Sequence, residues 1–415
     1  MKNNDLLYKQ LNHAYETVPY YKKLFDDYRI KSGNTYDFSL IPLLRKDIVS
    51  NNEDSFISEK YKHKYNSGNL TLRRTSGSTG QCMNVYWLPS DYFITNIEPW
   101  KYRNKWYDIS INSRGVNFHS TLYINNNFVY SPKKIIKQSE RISFCKTELN
   151  EENIHLYIKE IEDFSPDWMS VQPSVLHAIL IVAKYNEIDI LNNIKYIELM
   201  SEYLHKNTRK YFEDCLPKVK FSNMYGTTET GCISLECPYG NQHIFNNAFI
   251  EIFDNNFKDV VSEEGNIVLT SLRNNAMPFI RYCIGDKGGT VKSSCKCGYE
   301  GYNTHITLGR EGDIIELSNG YKKHVSILLH VIEEICSEYE SSILQFYFIQ
   351  EELNSFRVFL SIRDKYKNWI KSIEESIRNA MKKYLYEDVN CVFAYNFDNL
   401  LNDRDKLNIF VKNFK

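Results

Sequence analysis

The chain has 415 residues and a mass of 49.1 kDa, which is more than a single hydrophobic core usually encloses and predicts two or more domains. It is 42% hydrophobic, 25% charged and 14% aromatic, a composition that excludes an intrinsically disordered chain. The 51 Lys and Arg residues and the 52 Asp and Glu residues give a formal net charge of -1. The chain therefore has no overall positive electrostatic field that attracts nucleic acid or an anionic membrane. Any anionic ligand therefore needs a local site.

The ten cysteines do not by themselves predict disulfides. The first residues lead into a polar amphipathic stretch without the apolar core or cleavage site of a signal peptide, so we expect a cytoplasmic protein with free or metal-bound thiols. The longest apolar runs, such as 178–183, are too short to span a bilayer, and we expect no membrane partner. The oligomeric state stays open, a homodimer included.

The N-terminal half predicts mixed α/β structure. Apolar residues at helical spacing predict an opening helix that Pro19 ends, followed by a short second helix. Residues 69–88 have a strand, loop, strand pattern. Beyond residue 166 three strands, at 168–171, 194–200 and 219–221, alternate with helices at 175–183 and 206–212. This alternation predicts a partly parallel sheet covered by helices.

The C-terminal half contains two regions whose sequence patterns predict different structures. From about 244 to 307 short strands alternate with Gly and Asn turns, which predicts a β-rich subdomain. Beyond 309 a helix at 325–335, strands at 344–349 and 356–360 and a helix at 369–386 predict a small α+β domain. The expected domains are therefore 1–308, with a β-rich and zinc-binding segment at about 232–307, and 309–415.

The loop after the first predicted strand is rich in glycine and hydroxyl groups. Its backbone N–H groups and hydroxyls could enclose phosphate oxygens, although a Ser/Gly-rich surface turn is the alternative. The loop is not a Walker P-loop, because Gln81 stands where that motif has lysine. The residues of the loop are Thr75, Ser76, Gly77, Ser78, Thr79 and Gly80.

Four further motifs follow in a fixed order, at 223–229, 281–286, 309–313 and 403–407. Together with the stretches 13–21, 41–46 and 165–174, their order and spacing resemble the adenylate-forming enzymes, which include the acyl-CoA synthetases. Within that superfamily the chain is most similar to the compact phenylacetate-CoA ligase branch, which includes the CapK-like proteins. The resemblance runs from about residue 5 to the C-terminus and implies a large nucleotide-binding domain and a small mobile C-terminal domain.

The resemblance also implies roles for individual residues. The loop at 75–80 would hold the β- and γ-phosphates of ATP, and Glu229 would bind Mg²⁺. Asp286 would bind the ribose hydroxyls, because a carboxylate accepts two hydrogen bonds from a diol. The nucleotide would also contact a four-residue segment in which the ring of the first residue faces adenine: Tyr225, Gly226, Thr227 and Thr228.

Two charged residues beyond 308 would complete the catalytic set. Arg310 would reach ribose or phosphate, and Lys406 would stabilise the charge that develops as the acyl-adenylate forms. Asp405 stands where the family usually has glycine, and Lys412, in an expected terminal helix or tail, is the alternative lysine. The C-terminal domain would rotate about a hinge near Asp313 and withdraw Lys406 between the two half-reactions.

Ser201 and Glu202 resemble the position where the family lines its acyl pocket beside the nucleotide. A helix N-cap at Ser201 is the competing interpretation, and both could hold. The expected reaction is activation of a carboxylic acid, with an aryl or arylacetic acid as the default, followed by transfer to coenzyme A. The alternatives are a CapK-like ligase that transfers to an amine or hydroxyl, and a catalytically silent nucleotide-binding protein.

Two short clusters of cysteine and histidine in the β-rich segment predict a metal site that takes no part in the reaction. Cys237 and His243 form one, and Cys295 and Cys297 form the other. Three thiolates and one imidazole would complete a tetrahedral structural Zn²⁺ site, with Cys232 as the reserve ligand. The spacings are not those of common zinc fingers, and free thiols are the alternative.

Overall fold

The computed structural model describes residues 2–33, 35–75, 83–119, 123–124, 127–128, 135–146, 154–185, 191, 193–204, 206–254, 256–258, 264–307, 314–339, 342–362, 364–395 and 410–414. The α-helices within these ranges are α1 (Lys2–Thr17), α2 (Pro19–Asp27), α3 (Lys46–Asn51), α4 (Glu53–Phe56), α5 (Lys62–Asn66), α6 (Pro89–Tyr107), α7 (Ile154–Phe164), α8 (Pro173–Tyr185), α9 (Lys206–Cys215), α10 (Ser326–Glu338) and α11 (Ile370–Leu385). Short 3-10 helices cover Phe38–Leu40, Glu59–Tyr61 and Asp364–Trp369.

The strands up to residue 200 are β1 (Lys31–Ser32), β2 (Thr35–Tyr36), β3 (Thr71–Arg74), β4 (Asn84–Trp87), β5 (Gly115–His119), β6 (Tyr123–Ile124), β7 (Asn127–Phe128), β8 (Ile135–Gln138), β9 (Arg141–Cys145), β10 (Trp168–Val171) and β11 (Tyr196–Met200). Those that follow are β12 (Lys220–Thr227), β13 (Gly231–Glu236), β14 (Gln242–Ile244), β15 (Ala248–Phe253), β16 (Gly265–Ser271), β17 (Tyr282–Ser294), β18 (Glu300–Thr307), β19 (Ile314–Glu316), β20 (Lys322–His324), β21 (Ile343–Glu352), β22 (Ser355–Ile362), β23 (Asn390–Ala394) and β24 (Phe410–Lys412).

The described residues divide into two compact units. The first contains residues 2–75, 83–175 and 191–307, and the second contains 176–185 and 314–414, each range with the gaps given above. A large sheet organises the first unit, in the strand order β15-β16-β17-β18-β14-β13-β12-β11-β10-β5-β9-β8. The strands β9, β5, β10, β11 and β12 pair in parallel, whereas those on either side pair antiparallel.

The central parallel strands β10 and β11 are covered on both faces, which explains their largely hydrophobic sequences. All four residues of β10 are buried, and β11 is buried up to Leu199. Helix α6 lies against β13 and covers the face of the sheet that carries Glu198. Pro89 at the first turn of α6 is compatible with a helix start, but Pro99 lies inside the helix, and sequence analysis did not predict α6.

The N-terminal helices pack onto the first unit through their apolar faces. Helix α1 buries Leu11 and Ala14, and α2 buries Tyr21 and Phe25 in a cluster that includes Phe279. Val18 precedes α2 in extended conformation, and Pro19 occupies its first turn, which explains why one helix ends and another begins here. The predicted opening helix and its end at Pro19 are confirmed.

The second unit has its own core. Its sheet has the order β23-β22-β21-β24, and α11 buries Ile373, Ile377 and Met381 at helical spacing. Lys412 lies in strand β24, which pairs in parallel with β21, so the expected terminal helix or tail at this position is wrong. The three residues 410–412 are too few for a sequence-based distinction between strand and helix.

The predicted α/β class with its β-rich segment is confirmed. The predicted movement of the C-terminal domain stays a prediction. Among the described residues, no helix is long and apolar enough to cross a membrane.

Candidate active site and metal centre

The carboxyl ends of the parallel strands form an edge where several of the described residues with predicted nucleotide or acyl contacts lie. Neighbouring strands are in register, with Val171 opposite Leu199 and Met200 opposite Met224. In α/β sheets ligands bind outside this end of the strands. Ser201 follows β11 directly, and Tyr225 belongs to the last residues of β12, which extends further than the sequence pattern predicted.

The connection from β12 to β13 shapes the predicted nucleotide segment. A bulge lies between Tyr225 and Gly226, and a Cβ atom at Gly226 would lie 2.7 Å from the carbonyl oxygen of Gly231. Gly231 itself has φ +75°, which favours glycine. Because of these two glycines, the backbone turns sharply and brings the residues between them back to the sheet edge.

Tyr225 and Asp286 are in direct contact. The Tyr225 hydroxyl donates a hydrogen bond to Oδ2 of Asp286 at 3.0 Å, across 61 positions of sequence. The predicted adenine-facing ring and the predicted ribose ligand therefore lie side by side. In a nucleotide, adenine and ribose are adjacent, so this spacing fits one nucleoside.

Glu229 is buried, with 6% of its surface exposed. Burial raises the pKa of its carboxyl group, while hydrogen bonds from Thr227 and Tyr282 and the charge of Lys46 oppose this shift. Carboxylate and phosphate oxygens are the ligands that Mg²⁺ prefers, so the donor type fits the predicted role. The Mg²⁺ site itself stays a prediction.

The β3–β4 hairpin is held beside this segment. Thr75 accepts a hydrogen bond from the Met83 amide at its Oγ1, 3.0 Å away, and its own amide donates to the Met83 carbonyl. The Trp87 indole donates to the carbonyl oxygen of Thr228 at 3.0 Å. This contact joins the end of the hairpin where Trp87 pairs with Thr71 to the residue before Glu229, and the loop leaves from the other end of the hairpin. Residues 76–80, Arg310, Asp313 and Lys406 lie outside the described residues.

Ser201 and Glu202 have different structural settings. Ser201 has φ +67°, and α9 begins only at Lys206, so the alternative N-cap role of Ser201 is wrong. Glu202 instead stabilises the start of α8, because its carboxylate accepts hydrogen bonds from the amide and the hydroxyl of Ser174 at 3.0 and 2.8 Å. Their predicted place beside the acyl group stays a prediction.

Sequence analysis missed a buried ion pair behind the site. Arg103 of α6 binds Glu198 of β11 through two hydrogen bonds of 2.7 and 2.8 Å, and both side chains are almost fully buried. The Arg103 guanidinium also lies over the Trp100 ring, and Tyr196 donates to the same carboxylate at 3.0 Å. This bidentate pair fixes α6 on the sheet.

A second missed pair anchors the motif at 281–286. Arg281 forms two hydrogen bonds of 3.1 Å to Glu251, and it donates to the carbonyl oxygen of Ile41 at 2.6 Å. Leu44 forms a bridge with Tyr282, so the stretch at 41–46 lies along the beginning of β17. Arg281 thus has a structural role, and it positions the strand that carries Asp286.

A cavity of about 380 Å³ lies between β3 and α6. Tyr92, Phe93 and Trp100 supply aromatic surface, and Arg73 supplies a cation that lies 4.9 Å from the centre of the Tyr92 ring. An aromatic wall with one guanidinium is compatible with a flat molecule that carries negative charge.

The four predicted zinc ligands come together. The ligand atoms of Cys237, His243, Cys295 and Cys297 all lie within 4.8 Å of one another. The pairing of β14 with β18, at His243 and Asn303, brings the two sequence clusters to one place. Cys232 lies outside this group and is not needed as a reserve ligand.

The environment of the cluster suits a metal ion. His243 Nδ1 donates to Asn303 Oδ1 at 2.6 Å, which leaves Nε2 directed at the Cys297 sulfur 3.1 Å away. Metal-binding histidines are oriented by such a hydrogen bond from their second nitrogen. Burial lowers the pKa of His243, which favours the neutral ring that a metal needs. The donor set therefore fits tetrahedral Zn²⁺.

Lys412 forms an ion pair with Glu316 at 3.2 Å within the second unit. The alternative role of Lys412 as the catalytic lysine stays a prediction.

No family model matches the chain. The chain is 30% identical over 192 residues to phenylacetate-coenzyme A ligase of Thermus thermophilus, an alignment that spans 43% of this chain and 42% of that protein's length. It is 22% identical over 405 residues to protein CapK of Staphylococcus aureus, which covers 92% of this chain and 82% of CapK.

Among solved structures, 2-hydroxyisobutyryl-CoA ligase in the postadenylation state matches with a TM-score of 0.73 at 11% identity, over 98% of this chain and 88% of that one. The same ligase with 2-HIB-AMP and CoA matches with a TM-score of 0.60 at 13% identity, over 99% and 89%. Likeness at these identities establishes the fold.

Proposed function

The chain belongs to the adenylate-forming superfamily, and on that premise we propose that it is an ATP-dependent carboxylate-activating ligase. The observation that carries the proposal is the contact between Tyr225 and Asp286 at the carboxyl edge of the sheet. It places an aromatic ring and a carboxylate side by side, as a base and its ribose are, and the connection that follows β12 carries the buried carboxylate of Glu229.

In the first half-reaction a carboxylate oxygen of the acid attacks the α-phosphorus of ATP. The bond from that phosphorus to the bridging oxygen breaks, and pyrophosphate leaves with the electron pair. The residues at 75–80 hold the β- and γ-phosphates, and Asp286 holds the ribose. Glu229 would hold Mg²⁺, which offsets phosphate charge when bound. Arg310 and Lys406 stabilise the charge that develops at the α-phosphate.

In the second half-reaction the sulfur of a thiol, for which coenzyme A is the leading candidate, attacks the acyl carbon of the acyl-adenylate. The bond from that carbon to the phosphate oxygen breaks, AMP leaves with the electron pair, and the thiol proton is released to solvent. Phenylacetate-coenzyme A ligase and a ligase solved with CoA are among the proteins to which the chain is similar. An aryl or arylacetic acid is the proposed substrate class, and the aromatic lining of the cavity beside α6 supports it. The C-terminal domain rotates about a hinge near Asp313 between the two steps.

The similarity to CapK supports a second candidate, a ligase that transfers the acyl group to an amine or hydroxyl. That alignment spans 405 residues, whereas the alignment to the CoA ligase spans 192. A third candidate is a silent nucleotide-binding protein, because Asp405 replaces the usual glycine before Lys406.

Zn²⁺ held by Cys237, His243, Cys295 and Cys297 would stabilise the β-rich segment without taking part in the reaction. The site ties β14 to the turn between β17 and β18, so its loss would loosen that part of the sheet.

Exchange of radiolabelled pyrophosphate into ATP, measured with a panel of carboxylic acids, tests the proposal. Exchange that depends on an acid supports adenylation, and its absence across a broad panel favours the silent protein. Mass analysis of products formed with coenzyme A and with amines then separates the first two candidates.

A further inference from the structure

We propose that Gln172 selects carboxylic acids whose acyl group carries a hydrogen-bond donor, a hydroxyl or an amino group. This inference rests on the proposed adenylation activity and names the substrate class of the same site.

Gln172 has a buried acceptor without a partner. The residue is 3% exposed, and its Nε2 donates a long hydrogen bond of 3.4 Å to the carbonyl oxygen of Phe118. In the part of the chain that the structure describes, Oε1 of Gln172 has no hydrogen-bond partner. Buried polar atoms are almost always paired, so an unpaired one at a candidate binding site indicates a missing ligand group.

The orientation of this amide is fixed by its neighbours. Nε2 faces a backbone carbonyl, and a flip would place two acceptor oxygens against each other. Oε1 is therefore the unpaired atom, and the unpaired group is an acceptor. An acceptor pairs only with an N–H or O–H on the ligand.

The position of Gln172 is next to the predicted nucleotide site. Gln172 follows Val171, the last residue of β10, and Val171 is opposite Leu199 of β11. The residue that follows Leu199 is Met200, after which comes Ser201. Gln172 therefore stands at the same carboxyl edge as the residues predicted to lie beside the acyl group.

Among the described residues, the sequence neighbours of Gln172 do not supply the missing donor. The Ser170 hydroxyl donates to the Met200 sulfur at 2.8 Å, and the Ser174 amide and hydroxyl both donate to Glu202. Pro173 has no backbone N–H. Met200 and Met224, which are opposite each other in β11 and β12, have side chains that offer only thioether sulfurs. A donor on the ligand is therefore the group that satisfies Oε1.

The test compares matched acids in the pyrophosphate exchange assay. The probes are benzoic and phenylacetic acids, each with a hydroxyl or amino group at each ring position and with a methyl group in its place. A pocket that binds a donor rejects the isostere without it, because the acceptor is then buried unpaired. We expect the best donor-bearing acid to exceed its methyl isostere by about 10- to 100-fold in kcat/KM.

Gln172→Met, which keeps the length and removes the acceptor, is expected to reduce that ratio to about 2-fold or less, chiefly through a lower kcat/KM for the donor-bearing acid. Gln172→Glu keeps an acceptor and should restore discrimination, most strongly for the amino-bearing acids. Gln10→Met is the matched control. Gln10 is also 3% exposed, and its Nε2 donates to the carbonyl of Asn274, outside the candidate site. This control should leave the ratio unchanged.

Three results would overturn the inference. Wild-type exchange with no preference for donor-bearing acids would refute it while leaving the proposed function intact. An unchanged ratio in Gln172→Met, with exchange still measurable, would assign the preference to another residue. No exchange with any acid would refute the proposed function, and this inference with it. Thermal melting of each variant separates a lost preference from a lost fold.

Discussion

Arg281→Met tests whether the arginine of the motif at 281–286 is structural. Removal of its guanidinium leaves Glu251 without its cation and the Ile41 carbonyl without its donor. Burial raises the pKa of Glu251, and the Arg281 charge opposes that shift, so the carboxylate left behind is unfavourable in its ionised form. Loss of one partner of a buried ion pair costs about 3–5 kcal/mol.

The two side chains are 8% and 11% exposed, so little water reaches the pair. We therefore expect Arg281→Met to reduce the free energy of unfolding of the first unit by about 4 kcal/mol. Arg281→Met combined with Glu251→Leu removes both charges, and it should recover about half of that loss because an apolar pair replaces an uncompensated charge. The unpaired carbonyl of Ile41 accounts for the remainder.

Urea unfolding of the full chain, followed by tryptophan fluorescence, measures this effect. Of the five tryptophans, Trp87, Trp100, Trp106 and Trp168 belong to the first unit, so its transition dominates the signal. Lys210→Met, which removes the exposed pair with Asp214, is the control and should change the free energy by less than about 0.5 kcal/mol. A loss below about 1 kcal/mol in Arg281→Met, or strictly additive losses in the double variant, would refute the reasoning.

Asp286→Ala should raise the KM for ATP at least tenfold with little change in melting temperature, since a hydrogen bond to a charged group is lost; an unchanged KM would contradict its role at the ribose. Tyr225→Phe keeps the ring and should raise the same KM only about 2- to 5-fold. Because burial raises the pKa of Glu229 above the ordinary 4.5, Mg²⁺-dependent ATP binding should weaken as pH falls through this raised pKa, above the range of an exposed carboxylate. Calorimetric titrations across this range check the profile, and Glu229→Gln should bind weakly with no such pH dependence. Elemental analysis should find one zinc per chain, and a strong chelator or Cys297→Ser should lower the melting temperature; a metal-free protein with the same melting temperature would contradict the zinc site.

Local periodicity predicted much of the fold. The helices α8, α9, α10 and α11 and the strands β10 and β11 lie close to where their apolar patterns placed them. Apolar patterns predicted the helices and strands less well where the pattern was short or interrupted. Pro99 interrupts the period of α6, and the three residues of β24 are too few to separate a strand from a helix.

Site residues could be predicted where the motif that contains them is short and continuous in sequence. They could not be predicted where their role depends on a partner that is distant in sequence. The cysteine and histidine clusters could be read from the sequence, but their approach depends on the register of His243 with Asn303. The roles of Arg103 and Arg281 could not be read in this way, because their carboxylate partners lie 95 and 30 positions away. Sequence analysis placed Glu202 beside the predicted site, but it could not predict the contact with Ser174. That contact depends on which strands are neighbours in the sheet.

The most direct test of the central claim is acid-dependent exchange of pyrophosphate into ATP by the wild-type chain and by Asp286→Ala. The account predicts exchange with at least one acid for the wild type, and at least tenfold less for Asp286→Ala at subsaturating ATP. Exchange that needs no acid, exchange that Asp286→Ala leaves unchanged, or no exchange with any acid would contradict it.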